Sequence, residues 1–574
     1  MKILRFFAYL IPFWKEECLV LFLSLVSIIL GLVNPYLAKL IIDKAYGNKD
    51  FKLFIILIAI GGIIFILNGV IAGLGGYLSR YIYLRINLRL SWKVFKKLQG
   101  LPYGVLQDGS TGGYLYHISY DVDAITRFIA VSLPQIISFI PKALFIIAII
   151  FYLNWKTALF SLMLIPLFYI LPFYFVNPLR KRIEAWVKDS QSIFIRLQEA
   201  FSHMQLIKAF GKEGREIKGY IKNLKNNFRS NLKITKFGIV ISFTNNLTSR
   251  IISGLIVFYG GYQVIKDQMS LGSFSAIVMY FSQLAGLQNS FASFLQEMSR
   301  GLVSQERLEG LFKMEAATIE KTEKEEAVFS KGKIEFKGVT FSYKKDKTIF
   351  EDLSFSIEGG SFIALVGPSG CGKTTIINLI ARLFSPSTGE ILIDGFNISD
   401  VKSATFYKQI GIVLQEPFLW NDTIENNIRY AKEDAAFEEV KKAARMACID
   451  DFINTLPEGY GTVIGENACK LSEGQKQRLA ISRALVKRPK VLMLDEAMSS
   501  LDSITETKII KNIKDGRKDI TVIVVSHRLS TVMYADLTYF INSPHEITIG
   551  EPKGLFEKNK EFYNLFAAQL TGQL

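Results

Sequence analysis

Six apolar runs in the first half of the chain constrain its fold more than any other feature. They lie at about 18–42, 53–80, 128–153, 155–177, 238–265 and 271–297. A helix needs about 20 mostly apolar residues to cross the hydrocarbon core of a bilayer, and each run has that length. Because lipid offers no partner to backbone N–H and C=O groups, we predict an all-α membrane bundle of six transmembrane helices.

The connections between these runs predict the orientation of the bundle. Those after the first, third and fifth runs are short, whereas residues 180–236, after the fourth, hold fourteen Lys/Arg against five Asp/Glu. Such a bias marks the cytoplasmic side. We therefore expect a multi-pass protein of the cell (plasma or inner) membrane, with both termini cytoplasmic and an amphipathic N-terminal helix on the bilayer surface. The same bias explains the formal net charge of +16 without a nucleic-acid partner.

The long connections have the composition of helices rather than of linkers. For example, SIFIRLQEAFSHMQLIKAF places apolar residues near helical spacing. We expect helices that continue well past the membrane and turn near residues 110–113 and 210–213.

Two basic residues, Lys142 and Arg250, fall inside predicted spans. Charges within a membrane are costly, and they often mark a ligand or a pairing partner. One hypothesis is that they attract an anionic lipid or a peptide carboxylate. The other is that they lie at a membrane interface or pair within the bundle, and the sequence leaves both open.

The second half of the chain has a different pattern. After a transmembrane domain at 1–305, the charged stretch at 306–332 indicates a linker. From Lys333 onward, short β-rich runs such as KIEFKGVTF, SFIALVG, EILIDG, VLMLDE and ITVIVVSH alternate with helical stretches. This alternation predicts an α/β domain with a largely parallel sheet over 333–574.

The segment GPSGCGKTT has the clearest chemistry in the chain. It fits the pattern GxxxxGK[ST] and stands between an apolar strand and a helix, the context of a phosphate-binding P-loop. Its glycines let backbone N–H groups approach phosphates. We expect Lys373 to reach the β and γ phosphates of ATP, and the Thr374 hydroxyl to bind Mg²⁺. The predicted nucleotide-binding residues here are Gly367, Ser369, Gly370, Cys371, Gly372, Lys373, Thr374 and Thr375.

Two acids and a histidine follow apolar strands further along the chain. Asp495 and Glu496 end the run VLML, and His527 follows ITVIVVS. Acids at the end of a buried strand are costly unless they meet a cation or a reacting group. We therefore assign Asp495 to Mg²⁺, Glu496 to the attacking water and His527 to the γ-phosphate.

The order and spacing of GPSGCGKTT, LSEGQKQRLAISRAL, VLMLDEAMSSLD and VVSHR resemble those of an ABC ATPase domain. With six spans before it, the chain resembles a half-size ABC exporter. The segments LQGLPYGVLQDGSTGGYLYHISYDVDAI and EAFSHMQLIKAFGKE are similar to the cytoplasmic loops of that family. The resemblance implies a P-loop NTPase domain of ABC type that uses ATP and Mg²⁺. It also implies a dimer with a second half-transporter, identical or related, in which each ATP lies between one chain's P-loop and the other chain's LSEGQ segment.

The resemblance implies further roles, residue by residue. Tyr343 matches the aromatic side chain that stacks on adenine, and Gln415 matches the glutamine that senses Mg²⁺ and the water. The segment Thr462–Glu466 resembles the loop that contacts the membrane domain's cytoplasmic helices. The implied catalytic set is Glu496, His527 and Gln415; the metal set is Thr374, Gln415 and Asp495; and the residues acting in trans are Ser472, Gly474, Gln475 and Asp502.

These features predict an ATP-hydrolysing translocase that exports or flips a small amphipathic substrate (lipid, peptide or drug-like) by dimeric alternating access. The alternative is an importer on the exporter fold, for a metal chelate or a similar small molecule. Glu473, inside LSEGQ, either points aside or weakens the half-site, which would mark one chain of an asymmetric heterodimer. The residues after Asp536 depart from the family pattern, and their local structure stays open.

Overall fold

Two structural units divide the chain. The computed structural model describes residues 9–160, 163, 176–314, 326–344, 347–465, 468–516, 519–543 and 546–571. The first unit comprises Met1–Leu101 with Val105–Ala316, and the second comprises Pro102–Gly104 with Ala317–Leu574.

Helices make up the regular structure of the first unit throughout its described residues. A 3₁₀ turn at Ile11–Phe13 precedes the first long helix, and π-helical turns at Ile41–Tyr46, His117–Asp121 and Phe128–Ser132 join others. The α-helices are Trp14–Leu40, Phe51–Gln99, Tyr103–Asp108, Thr111–Tyr116, Val122–Arg127, Leu133–Leu153, Val176–Ser202, Met204–Ala209, Glu213–Ile265 and Leu271–Lys313.

Three helical stretches of the described chain are long and apolar enough to cross a membrane: Ile11–Tyr46, Phe51–Gln99 and Thr111–Leu153. They contain the first three predicted spans. Most of the fourth predicted span, 155–177, lies outside the described residues. The fifth and sixth predicted spans fall within the long helices Glu213–Ile265 and Leu271–Lys313.

The longest helices exceed the thickness of a bilayer. Phe51–Gln99 has 49 residues and Glu213–Ile265 has 53. At about 1.5 Å per residue they measure roughly 73 and 80 Å, more than twice a hydrocarbon core of about 30 Å. The prediction that helices continue past the membrane is therefore confirmed for both.

The predicted turns between long helices are also present. Ser110 Oγ accepts a hydrogen bond from Gly113 N and caps the helix that starts at Thr111. Gly211, with φ of +57°, separates the short helix Met204–Ala209 from Glu213–Ile265. On the other side of the bundle, Asp43 accepts hydrogen bonds from Ser270 Oγ and Gly272 N, so one carboxylate joins two of the short connections.

Ten strands in two sheets form the framework of the second unit. They are β1 (Ile334–Lys344), β2 (Lys347–Ile357), β3 (Phe362–Val366), β4 (Thr388–Ile393), β5 (Phe396–Asn397), β6 (Ile410–Val413), β7 (Val491–Asp495), β8 (Thr521–Val525), β9 (Leu537–Ser543) and β10 (Glu546–Gly550), among the described residues. One sheet has the order β10-β9-β3-β8-β7-β6 and the other β2-β1-β4-β5.

The larger sheet is the parallel sheet that the sequence predicted. Strands β9, β3, β8, β7 and β6 are parallel, and β10 alone runs antiparallel to its neighbour β9. Strands β3, β7 and β8 are buried along their whole length, as expected of a parallel sheet covered on both faces. By contrast, the runs KIEFKGVTF and EILIDG form β1 and β4 of the separate antiparallel sheet. An apolar run specifies a strand but not its pairing partner.

Helices cover both faces of the parallel sheet and complete the unit. Their bounds are Lys373–Ile380, Ser403–Gln409, Ile424–Arg429, Phe437–Met446, Asp450–Thr455, Glu473–Leu485, Ser503–Gly516, Leu529–Met533, Pro552–Lys558 and Lys560–Thr571, with a 3₁₀ turn at Gly459–Gly461. The segment after Asp536, left open by the sequence, forms the hairpin β9–β10 and the last two helices. Phe540 packs edge-on against Phe562, with 5.5 Å between ring centroids, and this contact ties the hairpin to the final helix.

Candidate functional site

The loop after β3 is held in a shape that glycine alone accommodates. Gly372 has φ of +105°, and a Cβ there would lie 2.3 Å from the ring of Phe350. The buried Lys373 opens the following helix, and its Nζ donates hydrogen bonds of 2.9 Å to the carbonyls of Gly367 and Pro368. The loop therefore already surrounds an ammonium group. Cys371 Sγ lies 4.0 Å from that Nζ.

Asp495, at the end of β7, is the buried acid of the site. Its side chain hydrogen-bonds to that of Thr374, yet its Oδ1 atom has no partner in the described structure. Burial raises the pKa of this carboxyl, and the neighbouring Glu496 raises it further. An unsatisfied buried carboxylate oxygen beside a threonine hydroxyl fits one cation that takes its other ligands from phosphate and water. No cluster of three or more His, Cys, Asp and Glu that could hold a metal by itself occurs among the described residues.

Two side chains that lie far apart in the sequence form hydrogen bonds with Glu496. Gln415, just beyond β6, donates from Nε2 to Glu496 Oε2 at 2.8 Å. His527, just beyond β8, places Nε2 at 3.0 Å from Glu496 Oε1. Glu496 itself has φ of +49°, a left-handed conformation that is uncommon for a residue other than glycine. All three residues predicted to be catalytic thus meet at one edge of the parallel sheet.

Tyr343 joins the site from the antiparallel sheet. Its hydroxyl hydrogen-bonds to that of Thr375 at 3.0 Å. Its ring packs edge-on against Phe341 and Phe384, with centroids 4.9 and 5.0 Å away. The half-exposed ring is therefore fixed beside the phosphate loop.

The LSEGQ segment forms a tight helix start. Ser472 Oγ accepts from Gln475 N, and Gln475 Oε1 accepts from Ser472 N at 2.8 Å. Glu473 turns aside to Lys476, with 2.8 Å between Oε1 and Nζ. A Cβ on Gly474 would lie 3.0 Å from the carbonyl oxygen of Ser500. Glycine thus keeps the segment close to the loop after β7.

Asp502 caps the next helix rather than approaching its own P-loop. Its Oδ1 accepts from Thr505 N at 2.8 Å, and this hydrogen bond lowers the pKa of the carboxyl. Within the described residues, no hydrogen bond joins Ser472, Gln475 or Asp502 to residues 367–375. The residues expected to act in cis and those expected in trans therefore form two separate groups. Of the loop at Thr462–Glu466, Glu466 lies outside the described residues.

Sequence reasoning missed three side chains that hold these groups in place. Gln477 bridges the LSEGQ helix and the following loop, donating to Ser499 Oγ and accepting from Ser500 N. Arg528 donates to the carbonyls of Ser499 and Leu501 and to Glu506. Gln569, in the last helix, donates to the His527 carbonyl at 2.6 Å and accepts from Leu529 N at 3.0 Å. Arg528 follows the predicted His527 directly, but nothing in the sequence pointed to Gln569.

A separate cavity of about 820 Å³ lies among the helices of the first unit. It is lined by apolar and small residues together with Gln135, Gln283 and two cations, Arg80 and Lys142. The Arg80 guanidinium lies 4.5 Å from the ring centroid of Tyr83. In the part of the chain that the structure describes, no carboxylate forms an ion pair with Arg80 or Lys142. Arg250, the second intramembrane cation noted in the sequence, lies on an exposed helix face outside this cavity.

Comparison with known proteins agrees with both halves of this architecture. The ABC transporter transmembrane region matches residues 18–288, and the ABC transporter family matches residues 350–499. An ATP-dependent lipid A-core flippase of Haemophilus influenzae (strain 86-028NP) is 32% identical over 94% of this chain and 92% of that protein. The chain belongs to the ABC transporters. It is a half-size exporter type, with one membrane domain and one ATPase domain in a single chain, and it couples ATP hydrolysis to transport.

Two further relatives show how broad the similarity is. A Bacillus subtilis (strain 168) protein named for multidrug export, YgaD, is 30% identical over 98% of this chain and 99% of that protein. The solved structure of a bacterial Atm1-family ABC exporter with ATP bound superposes with a TM-score of 0.90, at 25% identity, covering 97% of this chain and 99% of that one. The helical membrane domain and the ABC ATPase fold predicted from the sequence are therefore confirmed.

Proposed function

We propose that this transporter exports, or flips to the outer leaflet, an amphipathic substrate that carries an anionic group. The observation that carries this proposal is the cavity of about 820 Å³ in which Arg80 and Lys142 stand without carboxylate partners among the described residues. Charged side chains within a membrane domain usually bind a ligand or pair with one another. Relatives named for lipid A-core support a lipid-like cargo, whereas the one named for multidrug export leaves the chemical family wider.

The ATP site of the proposal uses the chain's own residues in distinct roles. Lys373 releases the carbonyls of Gly367 and Pro368 and contacts the β and γ phosphates, while Tyr343 stacks on adenine. Glu496 accepts a proton from the attacking water. Gln415 and His527 orient the carboxylate of Glu496 for this step. The contacts of Gln415 and His527 with Glu496 already exist in the chain without ATP.

Mg²⁺ fits the same place. Thr374, Asp495 and Gln415 would hold it, and the unsatisfied Oδ1 of Asp495 is the atom that needs a cation. When bound, it neutralises charge on the transferred phosphoryl group. A cation there would favour the ionised form of Asp495, opposing the burial that raises the pKa of this carboxyl.

Two chains complete two sites in this proposal. Ser472 and Gly474 at the start of helix Glu473–Leu485 face the γ-phosphate held by the partner chain, where the helix dipole and free N–H groups favour an anion. Glu473, paired with Lys476, does not oppose that phosphate. Since Tyr343, Lys373, Glu496, His527 and the LSEGQ segment are all present, we propose a homodimer, with both termini in the cytoplasm. ATP closes the pair, and hydrolysis resets it.

Transport into sealed proteoliposomes tests the substrate class. We expect ATP to drive translocation of a fluorescent phosphate-bearing lipid by the full-length protein, and faster than of its zwitterionic counterpart. Lys142→Ala and Arg80→Ala should each reduce the rate for the anionic lipid about tenfold, the effect of one lost charge-assisted hydrogen bond of about 1.5 kcal/mol or more. Arg250→Ala is the matched control, since it also removes an intramembrane cation but lies outside the cavity. Equal effects of all three substitutions would contradict the assignment.

A further inference from the structure

A second cavity lies in the first unit, away from the one just described. It has a volume of about 470 Å³ and lies between helices Val176–Ser202 and Glu213–Ile265. Asn177, Lys181 and Arg182 line it from the first helix, and Ser230 and Lys233 line it from the second. We name it the basic pocket. Its volume is within the range of about 300 to 1,000 Å³ that is usual for small-molecule sites.

The cations of the basic pocket have no carboxylate partner among the described residues. Within that part of the chain, no Asp or Glu lines the pocket. On its first helix, Glu184 pairs with Arg180, whereas Asp189 accepts from the hydroxyl of Ser230, a lining residue, and lies beside the pocket. In the described structure, none of Lys181, Arg182 and Lys233 forms an ion pair.

Arg182 is held in a fixed orientation. Its Nη1 donates to the Pro178 carbonyl at 3.0 Å, and its guanidinium lies 4.3 Å from the ring centroid of Phe237 on the second helix. The hydrogen bond from Asn227 Nδ2 to Ser190 Oγ, at 2.6 Å, fixes the two helices nearby. Because a guanidinium carries five N–H donors in a planar fork, most of them stay available for an oxyanion.

The depth of the pocket matches that of lipid headgroups. Lys181 is four residues past the end of the fourth predicted span, and Lys233 is five residues before the start of the fifth. At about 1.5 Å per residue these positions are roughly 6 and 7.5 Å from the hydrocarbon edge. A headgroup layer is about 5 to 7.5 Å thick on each side, so the predicted span ends would place both lysines within this layer. The basic loop makes this the cytoplasmic side.

We propose that the basic pocket binds the phosphate of an anionic lipid of the cytoplasmic leaflet, at a site distinct from the substrate cavity. The inference does not depend on which substrate the cavity carries. Basic residues near a membrane end follow from topology alone. A concave site with three uncompensated cations, one of them immobilised, goes beyond that and matches the basic pockets between helices that hold lipid headgroups.

Lipid binding to the full-length protein in detergent tests the proposal. The probes are phosphatidic acid, phosphatidylcholine as the zwitterionic reference and inorganic phosphate as a soluble competitor, with bound lipid counted by native mass spectrometry. We expect phosphatidic acid to bind more tightly than phosphatidylcholine. Lys181→Gln combined with Lys233→Gln should weaken phosphatidic acid binding about thirtyfold, from the few-fold contribution of each cation. Lys181→Arg with Lys233→Arg should retain it.

The matched control is Lys188→Gln combined with Lys236→Gln, which removes the same net charge from the same two helices outside the pocket. It should leave binding unchanged. If the pocket variant and the control variant lost phosphatidic acid binding equally, the effect would be one of general charge, and the proposed site would be wrong. Displacement of phosphatidic acid by an equal concentration of inorganic phosphate would overturn the lipid as occupant. Thermal unfolding and ATPase activity, measured for every variant, separate loss of the pocket from loss of the fold.

Discussion

Adjacent carboxylates at the end of β7 occupy different environments. Asp495 is buried, with a raised pKa and an oxygen that lacks a partner in the described structure, while Glu496 reaches out to Gln415 and His527. In our proposal, environment rather than residue type therefore separates the metal ligand from the base. The sequence predicted both roles, because acids at the end of an apolar strand are costly without a function.

Substituting Glu496 by glutamine should stop turnover without preventing binding. The amide keeps the shape of the side chain but cannot accept a proton from water, so we expect the ATPase rate to fall by about 10² to 10⁴-fold. Binding of a fluorescent ATP analogue should stay near the wild-type level. Glu473→Gln is the matched control, since that carboxylate is exposed and pairs with Lys476. Hydrolysis at the wild-type rate in Glu496→Gln would contradict the role of the base.

Asp495 should illustrate a conflict between stability and function. An acid whose pKa is raised on folding binds protons better in the folded state, so it lowers the free energy of unfolding as pH rises above its ordinary pKa. Asp495→Asn removes this cost. Without nucleotide at pH 7, it should increase the free energy of unfolding of the ATPase unit by about 0.5 to 2 kcal/mol and therefore raise its thermal midpoint. The same change should abolish Mg²⁺-dependent hydrolysis. A lower midpoint would contradict the account.

At the scale of elements, the final helix Lys560–Thr571 stabilises the loop after β8. Gln569 bonds both sides of that loop, at the His527 carbonyl and Leu529 N. Buried aromatic contacts of Phe562 and Phe566 hold the helix against the core. The backbone around His527, which we propose to be catalytic, is thus held by a residue 42 positions further along the chain.

Gln569→Ala should loosen His527 while leaving the nucleotide bound. Loss of two hydrogen bonds of about 1 kcal/mol each, partly replaced by water, predicts a five- to tenfold lower kcat. The KM for ATP should change little, because the phosphate loop is untouched. Asn564→Ala is the control on an exposed position of the same helix. If both variants matched the wild type in kcat, the hydrogen bonds of Gln569 would have no role in catalysis.

The elements that the sequence predicted best were those in which local pattern and chemistry agree. β3 with its loop, β7 and β8 are continuous apolar runs that end in reactive residues, and they lie where expected. The pairing of β1 and β4 in a separate antiparallel sheet, the hairpin β9–β10 and the contacts of Gln477, Arg528 and Gln569 were not predicted. Each of these depends on residues more than twenty positions apart or on a strand partner, and periodicity carries no information about either.

At the scale of the whole molecule, one chain supplies one P-loop and one LSEGQ segment. The two groups share no described hydrogen bond within the chain. In the proposed homodimer, each complete site therefore takes its P-loop from one copy and its LSEGQ segment from the other.

Two mixed dimers with the same pair of substitutions should behave differently. In one, Lys373→Ala in one chain is combined with Ser472→Arg in its partner, and both defects then fall in a single site while the other site stays intact. In the control, both substitutions are in one chain beside a wild-type partner, and each site has one defect. Tandem-tag purification and ATPase assays should find activity in the first dimer and almost none in the second. The reverse order would place each site within a single chain.

The most direct test of the central claim is ATP-driven movement of a phosphate-bearing lipid across a sealed bilayer that contains only this protein. We predict net translocation that requires ATP and Mg²⁺, is abolished by Glu496→Gln and is slowed by Lys142→Ala but not by Arg250→Ala. Equal accumulation with wild-type protein and Glu496→Gln, or no translocation by an actively hydrolysing wild-type protein, would contradict the account.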